Sequence, residues 1–424
     1  MAAYRDRIAD RQVREALKTF GAVIVQGARA TGKTTTGLHV AASSLRLDSS
    51  PELAALAETS PQVVLSGEVP RLIDEWQLAP TIWNAVRHEV DRRALPGQFV
   101  LTGSATPSDD VTRHSGAGRF RRITLRPMTL DESGESTGEV AFTLLFEGGS
   151  VAALGGPTVP EYVRLAVRGG WPSLVQQPER SPRNYLTSYL DDVVRVDLPE
   201  AELRVDAQRM RALVRALARN VATEIAATKL GAEAELAEPS GGGTSVSPQT
   251  VRKYLDALAR VFVVEEQPAW APQLRSRIRL RVQPKWHFVD PSLAATALGA
   301  GERSLLDDLN TFGFVFESLC VRDLRVYAGA LGGDVYHYRD DSGLEVDAVV
   351  ELADGRWAAF EVKLGGAKNV EAAAASLHQL ANKVSEERRD QLCSLTVLTA
   401  GNTSYTREDG VNVVALGHLG AGCV

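Results

Sequence analysis

The sequence predicts an α/β protein built from three consecutive parts, and three observations support this prediction. In residues 1–130, the short apolar runs 22–25, 62–65, 72–73 and 99–101 are predicted strands that alternate with helical stretches. This pattern is typical of a parallel sheet covered by helices on both faces. Residues 131–290 follow a mainly helical periodicity. Residues 291–424 return to alternating strands and helices, which predicts a second, smaller α/β domain.

Composition places the chain among ordinary globular proteins. Its 424 residues include 47 Lys and Arg against 53 Asp and Glu, a formal net charge of −6, and 44% are apolar. These values exclude a wholly disordered or collagen-like chain. No apolar run approaches the ~20 residues that span a bilayer, so we expect no membrane association. The N-terminus lacks an apolar signal stretch, and Cys320, Cys393 and Cys423 are far apart. We therefore expect a cytoplasmic protein without disulfides.

The strongest motif fits the pattern G-x-x-x-x-G-K-[ST] after the apolar run 22–25. Its glycines let backbone amides curve around phosphate oxygens, Lys33 offers a positive charge to the β- and γ-phosphates, and the Thr34 hydroxyl can bind Mg²⁺. The predicted helix that follows adds its N-terminal dipole. The candidate nucleotide-binding residues are Gly27, Ala28, Arg29, Ala30, Thr31, Gly32, Lys33, Thr34 and Thr35.

Polar side chains end two further predicted strands of this part. The run 71–75 ends in Asp74 and Glu75. We expect Asp74 to hold the magnesium ion through a bound water and Glu75 to polarise the attacking water. Thr102 and Ser104 end the following strand, where a hydroxyl can sense the γ-phosphate or orient water; a plain role at the strand end is the alternative.

Three arginines follow closely in residues 118–122. Charge in the transition state of phosphoryl transfer requires a cation beyond Lys33, and a neighbouring subunit often supplies it as an arginine finger. Arg119 is our candidate, which implies a homo-oligomer. The alternative is that these arginines cover the edge of a strand.

The pattern of residues 131–290 predicts a winged helix-turn-helix, with helices at 210–218 and 247–258 and a strand at 261–264. A basic segment follows, in which arginines alternate with apolar residues and therefore share one face of a strand. Phosphate groups of DNA are a natural partner for such a face, and carboxylates elsewhere in the protein are the alternative. The candidate nucleic-acid-binding residues are Arg275, Arg277, Arg279, Arg281 and Lys285.

Charged residues also interrupt apolar strands in the third part. Glu361 and Lys363 share one face of a strand, and Asp347 lies in the strand before it. Buried charges are costly unless they are paired or bind a metal. Two carboxylates and a lysine suit a Mg²⁺-dependent phosphodiesterase, in which the acids hold the metal and the lysine positions or deprotonates water. This set resembles the PD-(D/E)xK nuclease pattern, and Glu317 matches its additional acidic residue.

The register of the predicted hairpin tests this interpretation. A two-residue turn at 354–355 places Asp347 and Glu361 on opposite faces, whereas a three-residue loop at 353–355, with Gly355 in a left-handed bulge, pairs residue 347 with residue 361. The nuclease hypothesis predicts the odd-length loop or another bulge. A structural ion pair between Glu361 and Lys363 is the alternative.

Taken with further motifs, the chain resembles the AAA-type ATPases of bacteria and archaea that carry a C-terminal domain of unknown function. The resemblance implies an AAA-type P-loop ATPase module, a winged-helix segment and a restriction-endonuclease-like domain. Trp76, where that family usually has a smaller aliphatic residue, and the glycines at 241–243 depart from the pattern. The matching segments are 27–35, 72–77 with Pro80, 99–104, 118–119, 125–128, 168–172, 284–285 with Asp290, and 361–363.

These observations predict an ATP- and Mg²⁺-dependent ATPase coupled to DNA binding or DNA cleavage by its C-terminal half. A nucleotide-controlled switch, with an inactive nuclease-like domain, is the alternative. A third hypothesis is a nucleotide-controlled interaction protein that binds no nucleic acid.

Overall fold

The computed structural model describes most of the chain as two compact units. The first unit lies within residues 1–126, 192–205 and 256–263, and the second within residues 127–191, 206–255 and 264–424. Within the described ranges, no helix combines the length and the apolar character that a bilayer crossing requires. The described residues are 4–104, 116–200, 205–236, 247–273 and 282–422.

A five-stranded parallel sheet forms the centre of the first unit. Its strands are β1 (Ala22–Gln26), β2 (Ser43–Arg46), β3 (Arg71–Asp74), β4 (Phe99–Gly103) and β5 (Phe120–Thr124). They are ordered β2-β3-β4-β1-β5, and every pairing is parallel. The carboxyl ends of all five strands therefore meet at one edge of the sheet, which is where ligands bind in open α/β sheets.

Helices cover both faces of this sheet. They are α1 (Ile8–Leu17), α2 (Lys33–Val40), α3 (Pro51–Thr59), α4 (Pro61–Leu65) and α5 (Thr81–Arg93). Successive side chains of β1 point to opposite faces of the sheet. Ile24 lies in the same buried cluster as Trp83 of α5, and Val25 lies in the cluster that contains Val13 of α1. Our reading of residues 62–65 as a strand is wrong: Pro61 begins the short helix α4 there, and an apolar run of four cannot distinguish the two structures.

The second unit is built on a mixed seven-stranded sheet. Its order is β10-β11-β12-β13-β15-β14-β7, and only the β12–β13 and β13–β15 pairings are parallel. The strands β6 and β16 pair with each other, as do β8 and β9. The bounds are β6 (Val140–Ala141), β7 (Ala152–Leu154), β8 (Val264–Gln267), β9 (Lys285–Phe288), β10 (Gly333–Arg339), β11 (Glu345–Leu352), β12 (Trp357–Lys363), β13 (Leu392–Thr399), β14 (Thr403–Thr406), β15 (Asn412–Ala415) and β16 (Leu419–Gly420).

Most of the elements between β5 and β10 along the chain are helices, and helices also pack against the seven-stranded sheet. A π-helical stretch, Val193–Asp197, joins α10 to α11. The longest helix, α17, contributes many of the buried side chains of the second unit. The bounds are α6 (Leu130–Ser133), α7 (Phe142–Glu147), α8 (Val159–Arg168), α9 (Pro172–Gln176), α10 (Pro182–Asp192), α11 (Leu198–Glu200), α12 (Ala207–Arg219), α13 (Ala227–Leu236), α14 (Pro248–Arg260), α15 (Pro291–Ala297), α16 (Glu302–Asp307), α17 (Leu309–Ala330), α18 (Ala367–Lys383) and α19 (Glu386–Asp390).

Along the chain, helices α12 to α14 precede the antiparallel pair of β8 and β9. This order is compatible with the predicted winged helix, although the strand begins at Val264 rather than at residue 261. The basic segment falls in the connection between β8 and β9. Its arginines at 275, 277, 279 and 281 lie outside the described residues, so the winged-helix assignment and the DNA-binding face stay predictions.

The hairpin of β11 and β12 has the register that the nuclease hypothesis predicts. Ala348 pairs with Phe360, and the Leu352 N–H donates to the Arg356 carbonyl at 2.8 Å. The loop between them is therefore the three-residue stretch 353–355, in which Gly355 has φ +90°, a conformation that favours glycine. Continuing the register places residue 347 opposite residue 361, so the predicted pairing is confirmed.

Candidate functional site

The phosphate-binding motif forms a tight loop between the carboxyl end of β1 and the start of α2. Gly27 has φ +149°, and a Cβ on it would lie 2.2 Å from the Leu125 carbonyl oxygen. Gly32 has φ +97° and immediately precedes the helix. The first helical hydrogen bond runs from Thr36 N–H to the Gly32 carbonyl, at 2.9 Å. Helix geometry directs the earlier amides out of this end, where they can bind an anion.

The Lys33 side chain lies inside the loop and hydrogen-bonds to its backbone. Its Nζ donates to the Ala28 carbonyl at 2.8 Å, and the Thr31 hydroxyl donates to the same oxygen at 2.9 Å. The Lys33 side chain is buried, and this burial lowers its pKa to about 8 although Glu75 and Asp74 oppose the shift. The ammonium group is therefore held at the centre of the loop, where the sequence predicts phosphate contacts.

Asp74, at the end of β3, connects the loop to the neighbouring strand. One carboxylate oxygen, Oδ1, accepts a hydrogen bond from Thr34 Oγ1 at 3.0 Å and another from Thr102 Oγ1. The other, Oδ2, lies 3.6 Å from Arg46 Nε, and among the described residues it has no hydrogen-bond partner although it is buried. This oxygen suits a water bound to Mg²⁺, so Thr34 and Asp74 fit the predicted ion.

Thr102 orients Asp74 through this contact. Its hydroxyl is committed to a carboxylate, which argues against the predicted role of Thr102 as a γ-phosphate sensor. Ser104 is buried just beyond β4, and its predicted role is untested. Thr35 is exposed in the first turn of α2.

Glu75 follows Asp74 in a left-handed backbone conformation, with φ +55°, which is uncommon for a residue with a side chain and recurs at functional sites. The Gln77 side-chain amide donates to its carboxylate. Burial raises the Glu75 pKa, and the Lys33 ammonium opposes the shift. Trp76, one of the two departures from the family pattern, is buried, and its ring centroid lies 5.4 Å from that of Trp83.

Asp197 is a residue of this site that the sequence did not indicate. Its carboxylate lies 2.9 Å from the guanidinium of Arg29, in the middle of the phosphate loop, and only 9% of its side chain is exposed. It comes from the π-helical stretch, far along the chain from the motif. No local pattern signals such a contact.

Arg119 lies at the opposite edge of its own sheet. Its carbonyl accepts a hydrogen bond from Ala22, the first residue of β1, whereas the phosphate loop follows the last residue, about 15 Å away at the usual rise of a strand. The guanidinium forms an exposed ion pair with Asp91 at 2.8 Å. Arg119 therefore does not serve the loop of its own chain, and its predicted role in a neighbouring subunit stays a prediction.

The second unit brings together five charged side chains from four elements. Lys363 Nζ on β12 lies 2.6 Å from Glu361 Oε2 and 3.3 Å from Asp347 Oδ2 on β11. Lys285 Nζ on β9 lies 2.7 Å from Glu317 Oε1 on α17 and 3.5 Å from Asp347 Oδ1. The sequence predicted four members of this carboxylate cluster, and it assigned the fifth, Lys285, to a different site.

The predicted nucleic-acid contact of Lys285 is wrong for its side chain. Its side chain is 8% exposed and is paired with Glu317 and Asp347. All four residues of β9 are buried, so the alternation from which the sequence predicted a shared face with the arginines does not bring Lys285 to the surface.

Burial and opposing charges shift the pKa values within the carboxylate cluster. Burial raises the pKa of Glu361, and the adjacent Asp347 carboxylate adds to this shift. Burial also acts to raise the pKa of Asp347, but Lys285 and Lys363 outweigh it and lower the value. Burial raises the pKa of Glu317 to about 7 against the opposing charge of Lys285.

An open groove of about 510 Å³ borders the carboxylate cluster. Asp347, Glu361 and Lys363 line it, together with Glu345 and residues of α18. Carboxylate oxygens from neighbouring strands are the hard ligands that Mg²⁺ prefers, so Asp347 and Glu361 fit a magnesium site. Glu317 is not among the lining residues; it faces Lys285 instead, which counts against its predicted role as a ligand.

Three matches to known protein families follow the order of these parts. Residues 19–134 match an AAA domain, residues 159–304 match a domain of unknown function (DUF8612), and residues 312–419 match another (DUF4143). The AAA match contains the phosphate loop, Asp74 and Glu75.

Relatives and solved structures show more distant likeness. The uncharacterized proteins Rv2008c of Mycobacterium tuberculosis and Mb2031c of Mycobacterium bovis are each 28% identical over 362 residues, which is 84% of this chain and 73% of theirs. The Walker-type ATPase PABY2304 of Pyrococcus abyssi is 14% identical, with a TM-score of 0.39 over 69% of this chain and 96% of its own. The ORC1 protein of Aeropyrum pernix in complex with DNA is 13% identical, with a TM-score of 0.25 over 73% and 94%. The AAA match and the parallel sheet together confirm the AAA-type P-loop fold that the sequence predicts for the first part.

Proposed function

We propose that the chain binds ATP with Mg²⁺ at the phosphate loop and hydrolyses it. The observation that carries this proposal is the buried Lys33 ammonium, held by the Ala28 carbonyl in front of the first turn of α2. A buried ammonium facing free amides is a strong site for a di- or triphosphate. The match of residues 19–134 to an AAA domain supports the same activity.

In this proposal each side chain has one task. The first backbone amides of α2 and the Lys33 side chain bind β- and γ-phosphate oxygens. Lys33 Nζ then donates to phosphate oxygen in place of the Ala28 carbonyl. Thr34 and Asp74 hold the ion, which neutralises charge on the phosphates when it is bound. Glu75 orients the attacking water and accepts its proton.

We expect Glu75→Gln to bind ATP like the parent and to hydrolyse it about 100-fold more slowly. The amide keeps the shape and can accept the Gln77 hydrogen bond, but it cannot take a proton, and a general base typically contributes at least this factor. Steady-state phosphate release and equilibrium binding of a non-hydrolysable ATP analogue measure the two effects separately.

Glu68→Gln is the matched control, because Glu68 is exposed in the same unit and the same atoms change. It should hydrolyse at the parental rate. Turnover of Glu75→Gln within threefold of the parent would remove Glu75 from the catalytic role.

For the second unit we propose Mg²⁺-dependent action on DNA. The adjacent carboxylates of Asp347 and Glu361, with Lys363 beside them, border an open groove. In such a site the acids hold the ion, which activates water and stabilises charge on the phosphate when it is bound, and Lys363 positions that water. The alternating arginines of the basic segment support DNA as the substrate.

We expect Glu361→Gln to lose Mg²⁺-dependent cleavage of labelled DNA by at least about 100-fold, because a metal ligand and a negative charge are removed. ATP hydrolysis without DNA should stay parental, since Glu361 belongs to the other unit. Glu386→Gln, an exposed change on α19, is the control. Equal cleavage by both variants would contradict a nuclease site at Glu361.

One observation favours the second candidate, a nucleotide-controlled switch without cleavage. Lys285 and Lys363 already pair with the carboxylates of the cluster. This candidate predicts no cleavage by the parent chain, with salt-dependent DNA affinity that Glu361→Gln leaves unchanged. A parent chain without measurable DNA affinity would favour the interaction protein instead.

A further inference from the structure

The carboxylate cluster contains a lysine that its sequence motif does not include. Lys285 Nζ lies 2.7 Å from Glu317 Oε1 and 3.5 Å from Asp347 Oδ1. The ammonium group thus lies between carboxylates of two different elements. A metal ion that bridged Glu317 and Asp347 would have to occupy this same position. Lys363 lies between Asp347 and Glu361 in a similar way, but its side chain is 31% exposed and can turn into the groove, whereas the side chain of Lys285 is 8% exposed.

Lys285 is fixed there from both sides of its strand. Its backbone pairs with Gln267 of β8 on one side and forms a bridge with Glu224 on the other. Two residues on, the His287 ring hydrogen-bonds with Ser318 and Gln267, each at 2.8 Å. The Gln267 amide also donates to the Asp347 carbonyl at 2.9 Å. These contacts therefore hold both the backbone and the ammonium group of Lys285 in place beside the carboxylates.

The charges within the cluster favour one additional cation. A metal ion binds the deprotonated form of its carboxylate ligands. With its three carboxylates ionised, the cluster has two ammonium groups and a net charge of −1. Glu345, which also lines the groove, pairs with Arg339 at 2.8 Å. One divalent ion changes this net charge from −1 to +1, and a substrate phosphate can balance the remaining positive charge. A second divalent ion would add two more positive charges beside buried lysines, at a high cost in free energy.

We propose that Lys285 replaces a second metal ion, so that the groove binds one divalent cation through Asp347 and Glu361 while Glu317 binds Lys285. This inference rests on the cation-binding role proposed above and adds its stoichiometry and its ligands. It makes Lys285 a positioning residue that sets the charge and number of ions in the site.

The test counts Mn²⁺ bound to the full-length, nucleotide-free chain, by electron paramagnetic resonance of free Mn²⁺. The number lost in Asp347→Asn is the number bound at the cluster, because that variant leaves the phosphate loop intact. We expect one ion. Two ions would overturn the inference. If the parent binds no more Mn²⁺ than Asp347→Asn, the cluster binds no cation and the proposed cation-binding role is refuted. ATP hydrolysis by the same proteins is measured separately and tests the proposal for the first unit.

Two further variants assign the role of the lysine. In Lys285→Met, we expect a second Mn²⁺ or an affinity at least tenfold higher; an unchanged titration would contradict the inference. The double variant Lys285→Met/Glu317→Gln replaces the ion pair with a neutral pair, and such replacements usually preserve folding. It should keep one Mn²⁺ within threefold of the parental affinity or bind it more tightly. A tenfold loss would identify Glu317 as a metal ligand and overturn the inference even if Lys285→Met failed to fold.

Discussion

Lys33→Ala is expected to reduce ATP hydrolysis by at least about 100-fold. The substitution removes the only buried ammonium that the described part of the chain places in the phosphate loop. Loss of one preorganised donor to a developing negative charge typically costs a factor of 10²–10³. Release of inorganic phosphate over a range of ATP concentrations measures the loss in kcat and in kcat/KM.

Lys18→Ala is the matched control, because Lys18 is an exposed lysine of the same unit that pairs only with the neighbouring Glu15 among its described contacts. It should retain parental turnover and parental thermal stability. A Lys33→Ala protein that melts like the parent and hydrolyses ATP within threefold of its rate would show that hydrolysis takes place elsewhere.

Arg322→Met is expected to destabilise the second unit by about 3–5 kcal/mol, the usual cost of breaking a buried ion pair from one side. The Arg322 guanidinium is 2% exposed and donates to Asp290 Oδ2 at 2.9 Å and to Asp323 Oδ1 at 2.8 Å. These carboxylates also accept hydrogen bonds from the backbone of Gly170 and Leu130. Removing the cation leaves two buried negative charges and weakens the connections among α6, α15 and α17.

The loss is measured by urea unfolding followed by circular dichroism. Arg303→Met is the control, since the Arg303 side chain is 96% exposed and lies 4.0 Å from Asp307; its effect should stay within about 0.5 kcal/mol. A loss of less than 1 kcal/mol in Arg322→Met would mean that the two carboxylates relax or are protonated without cost.

Local features of the sequence predicted the parts of both sites that depend on neighbouring residues. The phosphate loop needs two glycines, a lysine and the start of a helix within eight residues, and the structure has them in that arrangement. The hairpin register follows from a single glycine, because Gly355 accommodates the left-handed position of a three-residue loop. Asp347 and Glu361 then lie opposite each other by strand geometry alone.

Contacts between distant parts of the chain could not be predicted in this way. Lys285 continues the alternation of the arginines before it, and its sequence neighbours give no sign of Glu317 or Asp347, which approach only when β9 packs beside α17 and β11. Its one local signal is a charge at the first residue of a buried strand, which is weaker than the apolar residues on both sides that identified Asp347. Asp197 reaches Arg29 from a segment that is even farther away along the chain. Tertiary packing decides such pairs.

A crystal structure of the chain with Mg²⁺ and a non-hydrolysable ATP analogue tests the central claim most directly. We expect the β- and γ-phosphates against the first amides of α2, with Lys33 Nζ moved from the Ala28 carbonyl to phosphate oxygen and Glu75 facing the γ-phosphate. A saturated complex whose triphosphate lies away from residues 27–35, with the Lys33–Ala28 contact intact, would contradict it.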